Sequence, residues 1–282
     1  MNILSDQFPN IDNLMATFER DGFAILPSFI EIECLERVKE GCQQLVDQVA
    51  EKLQADGMVD NLYLGKMLQY RMISLFANHP DKTPTIFRTE LHLPAFYDLF
   101  AHPKLLNLAE SFLGSEIRLY PNYSVRPKLP NDRRTEVLWH QDAGYTDQCA
   151  DVLHMMNVWV PLVPANKENG CMQFIPGSHK LGVVRHHKEE FYLQIDQSDL
   201  NAVSDQAILV ETQPGDVVIF NNLLFHRGLP NQSDHIRWSI DFRYQDATQP
   251  TMRQTTGHLL CSKHNPDLIV RDRNHWTQLN FR

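Results

Sequence analysis

Two hydrophobic rhythms divide this chain. In its first part, apolar residues recur every three or four positions. In the segment 32–56 Leu35, Val38, Cys42, Leu45, Val49 and Leu53 share that spacing, which is one face of an α-helix. The run NLMATFERDGF (13–23) predicts a short helix stopped by Gly22, and FAILPSFI (23–30) a short extended run after it. PKLLNLAESFLG (103–114) repeats the helical pattern and ends on Gly114, a common carboxy-terminal stop.

Beyond residue 116 the texture changes. IRLYPNYSVRP (117–127), DVLHMMNVWVPL (151–162), CMQFIP (171–176), AILVE (207–211), DVVIFN (216–221) and RWSIDFRYQ (237–245) are short and rich in β-branched and aromatic residues. Turn-forming stretches such as PGSH, QPGD and GLPNQSD separate them, the signature of a sandwich or barrel. The expectation is a mainly β protein with flanking α-helices. Its helix-rich part spans about 1–115, its sheet core about 116–250 and an extension 251–282. No linker-like composition separates these parts, so 1–282 reads as a single domain.

Composition narrows the function classes. The chain has 282 residues, 43% of them hydrophobic and 22% charged, which is ordinary globular make-up. Its net charge of −9 argues against a nucleic-acid partner. Basic residues gather at Arg126, Lys128, Arg133 and Arg134, interrupted by Asp132 and Glu136; this reads first as a solvated loop and second as an anion site. Five scattered cysteines (Cys34, Cys42, Cys149, Cys171, Cys261) without a C-x-x-C fit neither a disulfide framework nor a zinc cluster. No leader pattern or membrane-length apolar run is visible, so a cytoplasmic protein without membrane contact is expected.

The candidate chemistry starts at LWHQDAGYTD (138–147), where His140 and Asp142 lie two positions apart. On a strand such residues point to one side. Alone the pair says little: a second H-x-D, His79-Pro80-Asp81, sits in turn-like NHPDKTPT. Downstream, however, stand His226 and, eleven residues later, Arg237. Two histidines and one carboxylate on one face suit a non-haem Fe(II) centre with open positions. No H-E-x-x-H zinc motif is present. A guanidinium buried nearby needs an anion, and its fork matches a carboxylate. A 2-oxo acid with a distal carboxylate satisfies both ends, and Ser239, on the face of Arg237, offers a hydroxyl.

With these residues in hand, the chain resembles the phytanoyl-CoA dioxygenase family of Fe(II)/2-oxoglutarate oxygenases. The likeness runs through FERDGFAILPSFI, HQD (140–142), VWVPLVPANKENGCMQFIPGSHK (158–180), QPGDVVIFNNLLFHRG (213–228) and NQSDHIRWSI (231–240). It implies a double-stranded β-helix, a cupin-like jelly roll. It implies His140, Asp142 and His226 as iron ligands and Arg237 as the partner of the distal carboxylate of 2-oxoglutarate. Trp159 falls where relatives line the cosubstrate pocket, although a plain core tryptophan serves equally well. Where some relatives carry a hydroxyl residue two places after the second histidine, this chain has Gly228. A donor to the cosubstrate is then expected from Ser239, Asn122 or Tyr123. The intact Asp142 favours hydroxylation over halogenation.

The implied reaction consumes O2 and 2-oxoglutarate, releases succinate and CO2, and hydroxylates a small molecule, in keeping with an alkaloid or amino-acid derivative tailored in natural-product biosynthesis. Candidate substrate contacts are Tyr145, Arg71, Arg88 and Arg243. The segment 57–95 is either a lid over the iron or a packed surface layer. Two other classes remain: a non-catalytic cupin-like binding protein, and a metal-dependent isomerase or hydrolase with the same His/Asp/His set. Arg237 discriminates, since neither needs a partner for a 2-oxo acid.

Overall fold

The computed structural model describes residues 11–145 and 152–281; the amino-terminal stretch and Cys149 lie outside them. Helix α1 (Ile11–Asp21) ends at Gly22, whose φ of +83° turns the chain directly into strand β1 (Phe23–Leu26). Helix α2 (Ile32–Ala55) buries Leu35, Val38, Cys42, Leu45 and Leu53 of the expected stripe, leaves Val49 half-buried at its edge, and adds Cys34, Val46 and Ala50. Helices α3 (Leu68–Leu75), α4 (Pro94–Phe100) and α5 (Pro103–Leu113) complete the helical layer. Both α4 and α5 open on proline, where a missing N–H costs nothing. Within the segment 57–95, Met72, Leu75, Phe76, Phe87 and Leu91 are buried in this layer and Phe87 bridges Val125, while Leu64 and Met67 are exposed and Thr85, Ile86 and Arg88 face the inside of the sheets.

The β region comprises β2 (Ile117–Leu119), β3 (Ser124–Lys128), β4 (Val137–His140), β5 (Met155–Pro161), β6 (Met172–Phe174), β7 (His186–Lys188) and β8 (Leu193–Ile195). After helix α6 (Gln197–Asn201) come β9 (Ile208–Val210), β10 (Val217–Phe220), β11 (His226–Gly228), β12 (Arg237–Asp246) and β13 (His258–Cys261), then helix α7 (Arg273–Thr277). One sheet runs β1-β10-β5-β12-β2-β13, with β3 also on β12; the other runs β4-β11-β6-β9; β7 and β8 form a hairpin. Among the described residues these strand pairings are all antiparallel, giving the jelly roll. Strand β1 comes from the helical part and β13 from the extension, so the large sheet reaches past both ends of 116–250.

Side-chain parity decides what each strand face does. On β12, Trp238, Ile240, Phe242 and Tyr244 join the core formed with α2, α4 and α5. Trp238 Nε1 donates to Leu68 O (3.2 Å) and Tyr244 Oη to Phe100 O (2.7 Å), so the two polar tips are satisfied where they are buried. The alternate residues Arg237, Ser239, Asp241 and Arg243 point the other way. On β5, Met156, Val158 and Val160 face the helices while Asn157 and Trp159 are on the opposite face. The same holds on β3, with Val125 in the core and Ser124, Arg126 and Lys128 turned away from it. One hydrophobic layer on the outside thus leaves a polar, cationic layer on the inside.

Candidate metal centre

His140 ends β4 and faces His226, the first residue of β11, across the sheet. The strand does not continue to Asp142. The chain leaves it at Gln141, and Asp142 opens a 3₁₀ turn (Asp142–Tyr145). The period-two argument for the H-x-D pair is therefore corrected: a turn brings the carboxylate round. That turn is pinned by Ala143 N–H to Asn222 O (3.0 Å) and Gly144 N–H to Gln141 O (3.0 Å). Gln141 points away from the centre, as expected; its Nε2 donates to Gly182 O and Leu223 O (2.7 Å each) and its Oε1 accepts from Val184 N–H.

One donor atom from each of His140, Asp142 and His226 lies within 4.8 Å of the others. His140 Nε2 is 3.9 Å from Asp142 Oδ1, and the two imidazoles are 4.1 Å apart between centroids. No such cluster among the described residues includes His79 and Asp81. His140 Nδ1 donates to Leu138 O (2.8 Å) and His226 Nδ1 to Leu224 O (2.9 Å). A carbonyl can only accept, so Nδ1 carries the proton and Nε2 keeps its lone pair. Burial holds both rings neutral, and for His140 burial and then His226 bring the pKa down to about 3. Burial alone would raise the Asp142 carboxyl. The Arg243 guanidinium at 2.6 Å, its hydrogen bond and the two histidines together outweigh it, so Asp142 sits well below the usual carboxylate range. Asn157 Nδ2 donates to its other oxygen (2.9 Å).

A cavity of about 580 Å³ opens over this group. Arg237 lines it, 4% exposed, with Nε and Nη1 lacking any partner among the described residues. Its guanidinium lies 5.2 Å from the centre of the Trp159 ring, so Trp159 is a wall of the cavity as well as a core residue. Burial brings the Arg237 pKa down to about 10. Ser239 Oγ, fully buried on the same strand face, also lacks a partner. A larger hollow of about 730 Å³, between Arg118 and the loop 250–256, presents no carboxylate, imidazole or thiol.

Of the other predicted residues, Asn122, Tyr145, Arg88 and Arg243 line the same cavity. Two do not. Tyr123 points into the core, where its ring meets Phe100, Trp276 and Phe281 and its hydroxyl reaches His258 Nε2 (3.2 Å). Arg71 is buried under the helices, with Nη1 on Asp47 (2.6 Å) and Nε on Leu62 O (3.1 Å). Arg243 lines the cavity, but its charge is engaged by Asp142. The basic cluster is corrected too. Arg126 and Lys128 belong to β3 and Arg134 follows; all three line the cavity, while Arg133, in the 3₁₀ turn Arg133–Thr135, is exposed. Sequence reasoning missed Asn157, Asp241 and the β7–β8 hairpin, whose Phe191 and Tyr192 reach the cavity. The inward parity of Asn157 on a strand otherwise apolar was the available signal.

The description Phytanoyl-CoA dioxygenase (PhyH) matches residues 18–239. The chain belongs to the phytanoyl-CoA dioxygenase family. It is therefore a member of an enzyme family whose chemistry uses Fe(II), 2-oxoglutarate and O2. This PhyH-family chain is 28% identical over 165 residues to 1-deoxypentalenic acid 11-beta-hydroxylase of Streptomyces arenae, covering 54% of this chain and 57% of that one. The match thus spans little more than half the length of that curated relative. It is 26% identical over 261 residues to phytanoyl-CoA dioxygenase domain-containing protein 1 of Bos taurus, covering 82% and 88%. Among solved structures, EctD from S. alaskensis with bound Fe superposes with a TM-score of 0.61 at 21% identity, covering 84% of this chain and 76% of that one; this likeness concerns the fold. The residues present fit the cofactors on their own chemistry. Two neutral imidazoles and an ionised carboxylate suit Fe(II), and the unpartnered Arg237 fork suits a carboxylate. Among the described residues no helix is long and apolar enough to cross a membrane.

Proposed function

We propose that this chain is an Fe(II)/2-oxoglutarate-dependent hydroxylase of a small molecule, acting as a tailoring enzyme of natural-product biosynthesis. The observation that carries the reading is the buried, unpaired Arg237 beside the His140, Asp142 and His226 cluster. A metal-dependent isomerase or hydrolase, or a binding protein that had lost catalysis, would have no use for a desolvated guanidinium there. The bacterial relative, by its name, hydroxylates 1-deoxypentalenic acid, and the cavity of about 580 Å³ over the cluster gives room for a substrate of the small-molecule class.

In this reading His140, Asp142 and His226 hold the metal and Arg237 takes the distal carboxylate of 2-oxoglutarate. When bound, Fe(II) with 2-oxoglutarate and O2 supplies the oxidising power that replaces a substrate C–H by C–OH as succinate and CO2 form. The chain contributes the geometry. Arg237, lying over Trp159, would hold the distal carboxylate of the cosubstrate with its unpartnered donors, and Ser239 Oγ would offer a second donor. Arg243 keeps Asp142 ionised and Asn157 fixes its other oxygen, so the carboxylate stays oriented. The Phe220 ring, 4.9 Å from His226, and the Tyr145 ring, 5.7 Å from His140, exclude water from the two imidazoles.

The test is steady-state succinate formation with Arg237→Ala. Losing a buried charge-assisted pair should raise the 2-oxoglutarate requirement by about 10- to 100-fold while metal affinity is preserved. An unchanged requirement would remove Arg237 from this role.

A further inference from the structure

The cavity's charges do not balance. Eight lysine or arginine side chains line it and only two carboxylates, Asp142 and Asp241, in a chain whose net charge is −9. Most of the cations have a task. Arg243 holds Asp142 (2.6 Å), Arg126 holds Asp241 (2.5 Å) and Arg134 is held by Asp132 (2.5 Å). Arg227 lies over Trp139 and donates to Gln173 Oε1. Arg237 stands at the cosubstrate end. Lys128, whose charged form is disfavoured first by burial and then by Arg237, donates to Thr135 O and Gly228 O.

Arg88 and Arg253 remain. Arg88 Nε is buried and has no hydrogen-bond partner among the described residues. Burial first, then the like charge of Arg126, pushes its guanidinium below the ordinary value; Asp241, already engaged by Arg126, offsets part of this, and Arg243 and Arg253 add to the push. These arginines are therefore crowded together. Arg253, exposed at the rim between this cavity and the hollow beside Arg118, faces no carboxylate among the described residues; its Nε donates to Tyr120 Oη (3.1 Å) and its guanidinium lies 5.4 Å from the Tyr120 ring centre. Crowding like charges and stripping one of its water is unfavourable unless an anion arrives to pair with them. Ile86, Phe191 and Met172 give the same cavity apolar wall.

We propose that Arg88 and Arg253 form an anion subsite distinct from Arg237, and that the substrate places a carboxylate or phosphate there with its apolar body against Ile86 and Phe191. The inference rests on the oxygenase reading for the word substrate, but not for the binding of an anion.

The experiment is calorimetric titration of the full chain, loaded with Fe(II) and saturating 2-oxoglutarate without O2. The probes are benzoate, phenyl phosphate and methyl benzoate. At least one of the two anions should bind with a Kd below about 10 mM, and the neutral ester at least about tenfold more weakly. Arg88→Met and Arg253→Met should each weaken anion binding about tenfold or more, Arg88→Lys should restore part of it, and 2-oxoglutarate affinity should hold within about twofold. The tighter of the two anions identifies the headgroup. The proposal is overturned if neither anion binds, if the ester binds as well as the acids, or if both methionine variants bind like the unaltered protein. Failure of 2-oxoglutarate to bind would instead strike the oxygenase reading, and the Arg88 result would still judge the subsite.

Discussion

Arg237 shows how far single residues can be read. Its position on a strand eleven residues after His226 is visible in the sequence, and the structure leaves it buried with two donors unpaired. Neighbouring positions were less legible, because parity is lost wherever a strand breaks. The chain breaks between β2 and β3 around Pro121, so nothing in the sequence says that Asn122 reaches the cavity while Tyr123 enters the core. Arg71 was illegible for another reason. Its partner Asp47 is twenty-four residues away on a different helix, and such a pairing leaves no local pattern. At this scale Asn157 carries a sharp expectation. Asn157→Ala removes the hydrogen bond to Asp142 Oδ2 and should weaken Fe(II) or Mn(II) affinity by about 10- to 100-fold. Equilibrium metal titration checks it, and an unchanged affinity would mean that Arg243 alone orients the carboxylate.

Elements were read best where one face is apolar and the other polar. Helices α2 and α5 fall where their stripes place them, and each stretch read as a strand contains one or more. The failures share a cause. On β12 and β5 both faces are buried, so alternation separates two interiors, one oily and one cationic. The short β4, the β7–β8 hairpin and β13 offer too few residues for a period to register. The turn of ENGCMQF leads the chain toward the metal face. Asn166 and Asn169 exchange hydrogen bonds there, and Gly170 at φ +82° leads into β6, which pairs with β11 beside His226. A Cβ on Gly170 would stand 2.5 Å from Leu229 O and 2.6 Å from Lys128 Cδ. Gly170→Ala should therefore cost about 1–3 kcal/mol and lower the melting midpoint by several degrees. Gly182→Ala, at φ +72° with nothing within 4 Å, should cost less. Equal midpoints would show that the crowding at Gly170 relaxes freely.

For the whole molecule, the site and the stability of the metal-free protein are linked through buried imidazoles. His140 is neutral in the fold with a pKa of about 3, against 6.5 when unfolded. Between those values the unfolded chain binds more protons, so stability is complete above pH 6.5 and is lost as the pH falls toward 3. The melting midpoint of metal-free protein should decline over that window. His140→Gln should flatten the decline, leaving the part due to His226; an identical pH profile would contradict the burial argument. The overall architecture was legible, helices first and jelly roll after, since composition and period change together near residue 116. The charge of the interior was not, because an acidic chain hides a cationic cavity assembled from β3, β12 and distant loops. The most direct test of the central claim is made without O2. Fe(II) and 2-oxoglutarate are added to metal-free protein, beside Asp142→Ala and Arg237→Ala, and the visible charge-transfer band of a chelated 2-oxo acid is recorded. The account predicts a band in the unaltered protein that weakens in both variants; no band under any condition would contradict it.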